Sequence, residues 1–379
     1  MLVHLFLHGG ADALSLVAPV NDNTYRTVLR PTLRVGAPGE GTLLDGLGLD
    51  ATFAMHPDMA PLHALYTQTS GGLAIVHAAG YTPSSRSHFT STDLVHWADN
   101  TGFSDGGWLN RFAQVTSSGP SDPAVRLMAV GDNSTPKIIM GDYPSYGVDS
   151  TSGLSFQSSG TDIETYYRVM LQQSSSISRS PALSGTRKGC NDAFALVDHF
   201  TTIDPNNYGP ASTYPGHEIG GQLAEIAEVI KADLGVQAFF TVMHGWDHHS
   251  NLWNNVSYTT TNFAAALAAF VADLGPLMND VVVVVQSEFG REALENASAG
   301  VDHGVGGTMF VIGGTSQGGQ VHGTWPGVEI ANLHSGRFLA PVNDYRDVFC
   351  DVLVNHFGLT GSELDYVFPG HLHTPIGIM

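Results

Sequence analysis

Five consecutive valines at residues 281–285 constrain the fold of this 379-residue chain more than any other feature of its sequence. β-Branched side chains suit strands, and an apolar run without polar alternation is typical of a strand that is buried on both faces of a sheet. Apolar residues that share one face predict a helix over 262–274, and a shorter helix capped by Asp58 is expected over 58–66. Further strands are predicted at residues 2–7, 73–79, 126–130, 236–243 and 308–312. Strands that alternate with helices predict an α/β fold, a doubly wound and mostly parallel sheet with helices on both faces.

A Ser/Thr-rich stretch at residues 141–220 interrupts this alternation. It contains two short patterns that are typical of helices, near 162–173 and 192–200. We therefore predict an α/β catalytic core formed by residues 1–140 and 221–379, with residues 141–220 inserted as a cap or lid. A chain of this length with 42% hydrophobic residues can bury such a core.

The formal net charge of −20 excludes some classes of partner. Only three of the fifteen basic residues are lysines, so we expect no binding to nucleic acid or to anionic membranes. No apolar run reaches the roughly 18 residues needed to span a bilayer, and no transmembrane segment is expected. An acidic, lysine-poor surface suits an exported protein. We predict a periplasmic or secreted protein whose leader is absent from this sequence, with the cytoplasm as the alternative.

The two cysteines, Cys190 and Cys350, lie far apart in the sequence and match no zinc or redox motif. One disulfide and two buried thiols fit the sequence equally well. The sequence does not predict an oligomeric state.

Polar side chains among glycines follow the clearest predicted strands. Because the carboxyl ends of parallel strands meet at one edge of a sheet, we expect these side chains to lie together there. Carboxylate oxygens and imidazole nitrogens are the ligands that catalytic divalent cations prefer. The predicted cofactor is one or two divalent ions of Zn, Mg, Mn or Ca. The predicted metal ligands are Asp12, Asp247, His249, Glu288, Asp302 and His303.

Simpler structural interpretations exist for these candidates. Asp12 can serve a turn or cap a helix, and the Asp247 segment can form a turn with solvated histidines. Glu288 can form a local salt bridge with Arg291. Four other histidines near the strands are weaker candidates, more often packed than ligating: His8, His77, His244 and His248.

Ser87 is the candidate nucleophile, because a serine hydroxyl beside a metal or a base can be activated. A serine at this position more commonly caps the following helix, and Ser84 and Ser85 are alternative nucleophiles. Arginine side chains nearby are suited to clamping an anionic substrate. The predicted catalytic residues are Ser87, His88, Arg86 and Arg291.

Taken in order and spacing, the sequence motifs resemble those of a known bacterial family, the domain-of-unknown-function 1501 family. The motifs are residues 7–14 (LHGGADAL), 85–89 (SRSHF), 245–249 (GWDHH), 287–291 (SEFGR) and 302–304 (DHG). Additional segments that resemble the family lie at 53–57, 324–327, 343–347 and 367–370, so the resemblance covers nearly the whole chain. Members of this family are usually exported by the twin-arginine route, and the family is placed near the alkaline phosphatase and arylsulfatase superfamily.

The resemblance implies an alkaline phosphatase-like core that uses one or two divalent metals. In that scheme Asp12 takes the place of the acid after the first strand, Ser87 that of the nucleophile, and Asp247 with His249 that of a ligand pair. The late Asp-His pair departs from the scheme, because it follows on a loop after the valine strand rather than at its end. A formylglycine sulfatase is disfavoured, because Tyr81 stands where its signature requires Cys or Ser.

The function predicted from this reasoning is metal-dependent hydrolysis of phosphate or sulfate esters, including sulfated or otherwise anionic glycans, with a serine nucleophile. The partner would be a small or polymeric anionic substrate. One alternative is a metal-assisted enzyme that cleaves polysaccharides on the same scaffold. Another alternative is a protein that binds metal or glycan without catalysis.

Overall fold

The computed structural model describes residues 1–42, 44–99, 106–131, 135–150 and 208–379, together with residues 194, 197 and 198. The helix predicted near 162–173 and Cys190 lie outside the described residues. Of the helix predicted near 192–200, only the three isolated residues are described, and each of them is helical. Most of the predicted cap therefore lies outside the described part of the chain.

The described residues form twelve strands and eight α-helices. The strands are β1 (Leu2–Leu7), β2 (Val17–Ala18), β3 (Leu47–Gly48), β4 (Ala54–Met55), β5 (Ala74–Gly80), β6 (Leu127–Val130), β7 (Tyr146–Val148), β8 (Ala238–Met243), β9 (Val282–Gln286), β10 (Gly307–Gly313), β11 (Val321–His322) and β12 (Asn343–Asp344). The α-helices are α1 (Ala13–Leu16), α2 (Ala60–Tyr66), α3 (His88–Trp97), α4 (Trp108–Val115), α5 (Glu218–Lys231), α6 (Leu252–Leu274), α7 (Tyr345–Phe357) and α8 (Gly361–Val367). Short 3₁₀ turns and one π-helical turn, Tyr25–Leu29, complete the regular structure.

Nine strands form the main sheet in the order β11-β5-β10-β9-β1-β8-β6-β7, with β12 also paired to β5. Only β10 among these described strands runs antiparallel to its neighbours; every other pairing is parallel. β1 lies in the centre, with Val3 opposite Phe239 of β8 and Val283 of β9. The small second sheet is antiparallel, in the order β2-β4-β3. The predicted α/β fold with a mostly parallel sheet is confirmed.

Side chains of β1 alternate between two hydrophobic cores, one on each face of the sheet. Val3 and Leu5 pack in the core that includes residues of α2, α5 and α6. Leu2 and Phe6 pack in the opposite core, with residues of α4 and α7. No residue of β1 is more than 1% exposed. Burial on both faces explains why the central strands are continuous apolar runs.

Two helices begin differently from the prediction. A 3₁₀ helix over Pro57–Met59 precedes α2. The residue that caps this 3₁₀ helix is His56, whose Nδ1 accepts the Asp58 N–H. The prediction that Asp58 caps this helix was therefore wrong. α6 begins ten residues before the predicted start, because Leu252 and Val256 extend its buried face. Threonines obscure this first part of α6 in the sequence, since they are poor helix formers.

α6 with its following turn, residues 252–279, is long and apolar enough by length and composition to cross a membrane. Half of its most apolar stretch of 18 residues is buried inside the protein, where Phe263 and Leu267 pack against the main sheet. A buried core helix meets the same length and composition criteria, and the buried face of α6 belongs to the hydrophobic core.

The ends of the predicted cap belong to the core. Within residues 141–220, Tyr146–Val148 forms the edge strand β7 and pairs with β6. α5 starts at Glu218, and its buried face packs in the same core as α6. Cys350 is a free, buried thiol in α7, and burial raises its pKa to about 12.

Candidate metal centre

Three adjacent parallel strands, β1, β8 and β9, bring their following loops to one edge of the sheet. The loops touch closely: a Cβ added to Gly9 would lie 2.6 Å from the backbone nitrogen of Asp247. Gly9 also has a φ of +124°, which favours glycine. At Gly300 an added Cβ would lie 2.2 Å from the carbonyl carbon of His249. These glycines let the polar loops pack backbone against backbone, so the polar side chains of the loops converge.

Three side chains from different segments of the chain place one ligand atom each around a common point. His88 Nε2 lies 3.0 Å from His303 Nε2 and 3.4 Å from Asp247 Oδ1. His303 Nε2 lies 3.2 Å from Asp247 Oδ1, which closes the triangle. His249 extends this cluster, because its Nε2 lies 2.9 Å from His303 Nε2 and 3.0 Å from Asp247 Oδ1. We call these four residues the metal cluster.

The other ring nitrogen of each imidazole in the metal cluster meets a hydrogen-bond acceptor. His88 Nδ1 lies 2.6 Å from Glu288 Oε1, and His249 Nδ1 lies 2.8 Å from Asp302 Oδ1. His303 Nδ1 lies 2.8 Å from the backbone carbonyl of Arg86. A neutral imidazole that donates from Nδ1 carries a lone pair on Nε2. Three such lone pairs therefore point toward one another, an arrangement that a cation stabilises.

The charge around the metal cluster also favours a divalent cation. The carboxylates of Asp247, Glu288 and Asp302 face the histidines, and the guanidinium of Arg291 pairs with Asp247. With neutral imidazoles, these four groups carry a net charge of two negative units. A divalent cation would neutralise that charge.

Local electrostatics keep all three carboxylates ionised at neutral pH. Burial acts to raise the pKa of Asp247, but the hydrogen bond and charge of Arg291 outweigh it and lower the pKa to about 2. Burial likewise opposes ionisation of Glu288, and hydrogen bonds led by the one from His88 lower its pKa overall. A hydrogen bond from His249 lowers the pKa of Asp302. Each carboxylate can therefore act as a ligand or hold an imidazole.

The histidines of the metal cluster differ in basicity. The hydrogen bond to Glu288 raises the pKa of His88, which makes its Nε2 a stronger electron donor. Burial lowers the pKa of His303, which favours the unprotonated Nε2 that coordination requires. The ring of Phe289 packs against both of these histidines, with its centroid 4.9 Å from that of His88 and 5.1 Å from that of His303.

The spacing of the triangle fits a bound ion. Ligands about 2.0–2.1 Å from a tetrahedral zinc ion lie about 3.3 Å from one another. The three sides formed by His88, Asp247 and His303 measure 3.0, 3.2 and 3.4 Å. The ligand atoms of these three residues therefore all lie close enough together to hold a metal ion.

The other predicted ligands take different places. Glu288 and Asp302 lie beside the metal cluster and bind the Nδ1 atoms of His88 and His249. Glu288 also accepts the Gly9 N–H at 2.9 Å, and only 1% of it is exposed. These two carboxylates therefore orient imidazoles, a role that the sequence pattern did not distinguish from ligation. His88, predicted as catalytic, lies in the metal cluster itself.

Asp12 does not join the metal cluster. Both of its carboxylate oxygens bind the guanidinium of Arg30, at 2.8 and 3.0 Å, and Ser15 Oγ donates to Oδ2 at 2.5 Å. Only 2% of Asp12 is exposed. The sequence does not predict this ion pair, because Arg30 lies in a loop eighteen residues away with no pattern that connects it to Asp12.

We expect Asp12→Asn to destabilise the protein by about 3–5 kcal/mol, because it leaves the buried guanidinium of Arg30 without a counter-charge. Burial opposes ionisation of Asp12, but Arg30 and Ser15 lower its pKa below the usual 3.8. The stabilisation is therefore complete above pH 4 and declines as the pH falls through the lowered pKa. Urea unfolding at pH 7 and at pH 3 measures both effects, with the exposed-site variant Glu329→Gln as the control. A stability at pH 7 equal to the wild type would contradict this assignment.

The predicted catalytic residues surround the metal cluster in different ways. Ser87 is exposed and caps α3, with its Oγ 3.5 Å from the Thr90 backbone nitrogen. Arg86 contributes its carbonyl to His303, while its guanidinium lies 4.9 Å from the ring centre of Phe338. Arg291 is 1% exposed and donates to the carbonyls of Gly10, Val301 and Trp246 as well as to Asp247. Arg291 therefore fixes the loops and has little surface left for substrate.

The weaker histidine candidates are mostly packed. His77 is buried and its Nε2 lies 2.7 Å from the carbonyl of Val17. Burial lowers the pKa of His248 to about 4. His8 and His244 lie nearer the centre: the ring of His8 is 5.8 Å from that of His88 and 5.2 Å from that of His244.

Comparison with known proteins gives a family match to part of the chain and a distant likeness to a solved structure. No curated protein is significantly similar to this chain. Among solved structures, a mutant of TAB5 alkaline phosphatase with Mg bound in its M3 site is similar, at 11% sequence identity and a TM-score of 0.32. That likeness covers 83% of this chain and 91% of the other. Residues 189–368 match the family described as "Protein of unknown function (DUF1501)". This is the family that the sequence motifs resemble, and the match covers somewhat less than half of the chain.

Proposed function

We propose that this protein is a metal-dependent hydrolase of phosphate or sulfate esters, with its active site at the metal cluster. The observation that carries the proposal is the convergence of three imidazole Nε2 atoms and Asp247 Oδ1 at 2.9–3.4 Å, each imidazole being held at Nδ1 by an acceptor. We propose further that the protein is related to the alkaline phosphatase and arylsulfatase superfamily. We also propose that it is located outside the cytoplasm.

The donor set favours zinc or a similar transition metal. Mg²⁺ and Ca²⁺ prefer oxygen ligands, whereas imidazole nitrogen suits Zn²⁺ and its neighbours. His88, Asp247 and His303 would hold the ion, with His249 next to them as a further donor. When bound, the ion would supply positive charge that stabilises the ester oxygens and lowers the pKa of a nearby hydroxyl.

Ser87 is well placed to act as the nucleophile of this proposal. It lies between Arg86, whose carbonyl binds His303, and His88, whose Nε2 belongs to the metal cluster. Its side chain is exposed at the N-terminus of α3, where backbone N–H groups favour an anion. Attack of Ser87 Oγ on phosphorus or sulfur would displace the alcohol, which takes up a proton. Water would then release phosphate or sulfate and regenerate the serine.

The experiment that tests the proposal is metal removal and restoration with turnover as the readout. The protein as purified is analysed for metals, dialysed against a chelator, and assayed with an aryl phosphate and an aryl sulfate before and after addition of Zn²⁺, Mn²⁺, Mg²⁺ or Ca²⁺. We expect activity on at least one ester to be lost on chelation and restored best by Zn²⁺ or Mn²⁺. Unchanged turnover in the metal-free protein, or no turnover of either ester with any ion, would refute it.

A further inference from the structure

A cleft of about 660 Å³ lies beside the metal cluster, between α5 and α6. Its walls are the start of α5, the loop after β8 and one side of α6. Asp247, whose Oδ1 belongs to the metal cluster, also lines the cleft. Sites for small molecules commonly enclose about 300–1,000 Å³. The cleft is therefore continuous with the metal cluster and large enough for a ring-sized part of a substrate.

The charges of the cleft do not suit an anion. Among the described residues that line it there is no lysine or arginine, whereas Glu218 and Asp247 are acidic. A phosphate or sulfate group would be repelled here and attracted to the metal cluster instead. The cleft is suited to an uncharged part of the substrate that is attached to its phosphate or sulfate group.

An exposed aromatic ring forms one wall. Tyr258 is 62% exposed, one of the few large apolar side chains in the described residues that are so open to solvent. The ring of His217 contacts it edge-on, with the centroids 5.8 Å apart and the planes at 63°. This contact orients Tyr258 and keeps a flat, apolar surface at the cleft.

Hydrogen-bonding groups stand beside this ring. His217 Nδ1 accepts the Ile219 N–H at 3.3 Å, so the neutral imidazole carries its proton on Nε2 and can donate it. The amide of Asn255 donates from Nδ2 to the Ser250 carbonyl at 2.8 Å, which orients Oδ1 as an acceptor. Donor and acceptor groups next to one aromatic face match a ring that has an apolar face and hydroxyl groups at its edge.

We propose that this cleft binds a sugar ring, with the face of the ring on Tyr258 and its hydroxyls on His217 and Asn255. The inference that the substrate also carries an anionic group rests on the function proposed above. Binding of a neutral sugar does not depend on that function. A purely aromatic group fits less well, because pockets for apolar ligands have mostly apolar walls and this cleft has one aromatic side chain among polar ones.

Binding of neutral methyl glycosides tests the proposal without any turnover. A panel of methyl glucosides, galactosides and N-acetylglucosaminides is measured by saturation-transfer NMR and calorimetry against wild type, Tyr258→Ala and Tyr258→Phe. Tyr366→Ala is the matched control, because Tyr366 is also exposed but lies in α8, where its hydroxyl donates to Gln114. Phenol serves as the competing aromatic probe.

We expect wild type, Tyr258→Phe and Tyr366→Ala to bind at least one glycoside with similar affinity, and Tyr258→Ala to bind it about tenfold more weakly or not at all. Absence of glycoside binding to wild type would overturn the proposal. So would an unchanged affinity in Tyr258→Ala, or tighter binding of phenol than of every glycoside. Since these measurements need no ester and no hydrolysis, their failure is distinguishable from failure of the proposed hydrolase function.

Discussion

His303→Ala is expected to lower the affinity for Zn²⁺ by more than about a hundredfold, beyond the ten- to hundredfold typical for loss of an outer hydrogen-bond partner. His303 Nε2 lies within 3.2 Å of ligand atoms from all three other members of the metal cluster, so its removal affects each contact. The metal content after gel filtration and a zinc titration against a competing chelator measure the effect.

Two further variants make this first prediction specific. Asp302→Asn keeps the size of the side chain but removes the carboxylate that holds His249, and a ten- to hundredfold loss of affinity is expected. His322→Ala removes a histidine whose Nε2 instead contacts the carbonyl of Gln317, and zinc affinity should not change. Zinc binding by His303→Ala at wild-type affinity would contradict the assignment of the metal cluster.

Ser87→Ala is expected to lower kcat for the ester that the wild type hydrolyses by on the order of 10⁴-fold or more, as removal of a nucleophile does in other hydrolases. The metal content should stay unchanged, because Ser87 contributes no atom to the metal cluster. Steady-state kinetics and elemental analysis on the same preparation measure both quantities.

A second variant separates the chemistry of Ser87 from its role as a helix cap. Ser87→Asn retains a side chain that can cap α3 but lacks the hydroxyl, so it should be as inactive as Ser87→Ala and more stable. Ser84→Ala is the control and should keep wild-type turnover. If Ser87→Ala retains turnover, a covalent mechanism through Ser87 is excluded, and metal-assisted cleavage with another base becomes the better explanation.

Much of the fold follows from the sequence, because a strand buried on both faces must be continuously apolar. The runs that became β1, β5, β8, β9 and β10 were predicted within two residues of their observed bounds. The antiparallel direction of β10 was not predicted, since an apolar run has the same composition in either direction. The early start of α6 was missed because threonines are poor helix formers and favour strands.

The candidate site was predictable to the level of loops but not of contacts. The polar loops after β1, β8 and β9 do meet, as expected for neighbouring parallel strands. Which side chain reaches which atom depends on long-range packing: Asp12 binds Arg30, while Glu288 turns to the Nδ1 of His88. Sequence patterns carry residue types and spacing, and neither distinguishes a ligand from the group that orients it.

The most direct test of the central claim is an anomalous-scattering map of crystals grown with Zn²⁺, recorded on both sides of the zinc absorption edge. We predict one peak about 2.0–2.2 Å from the Nε2 atoms of His88 and His303 and from a carboxylate oxygen of Asp247. A map without a peak among these three residues, or with its zinc bound elsewhere, would contradict the account.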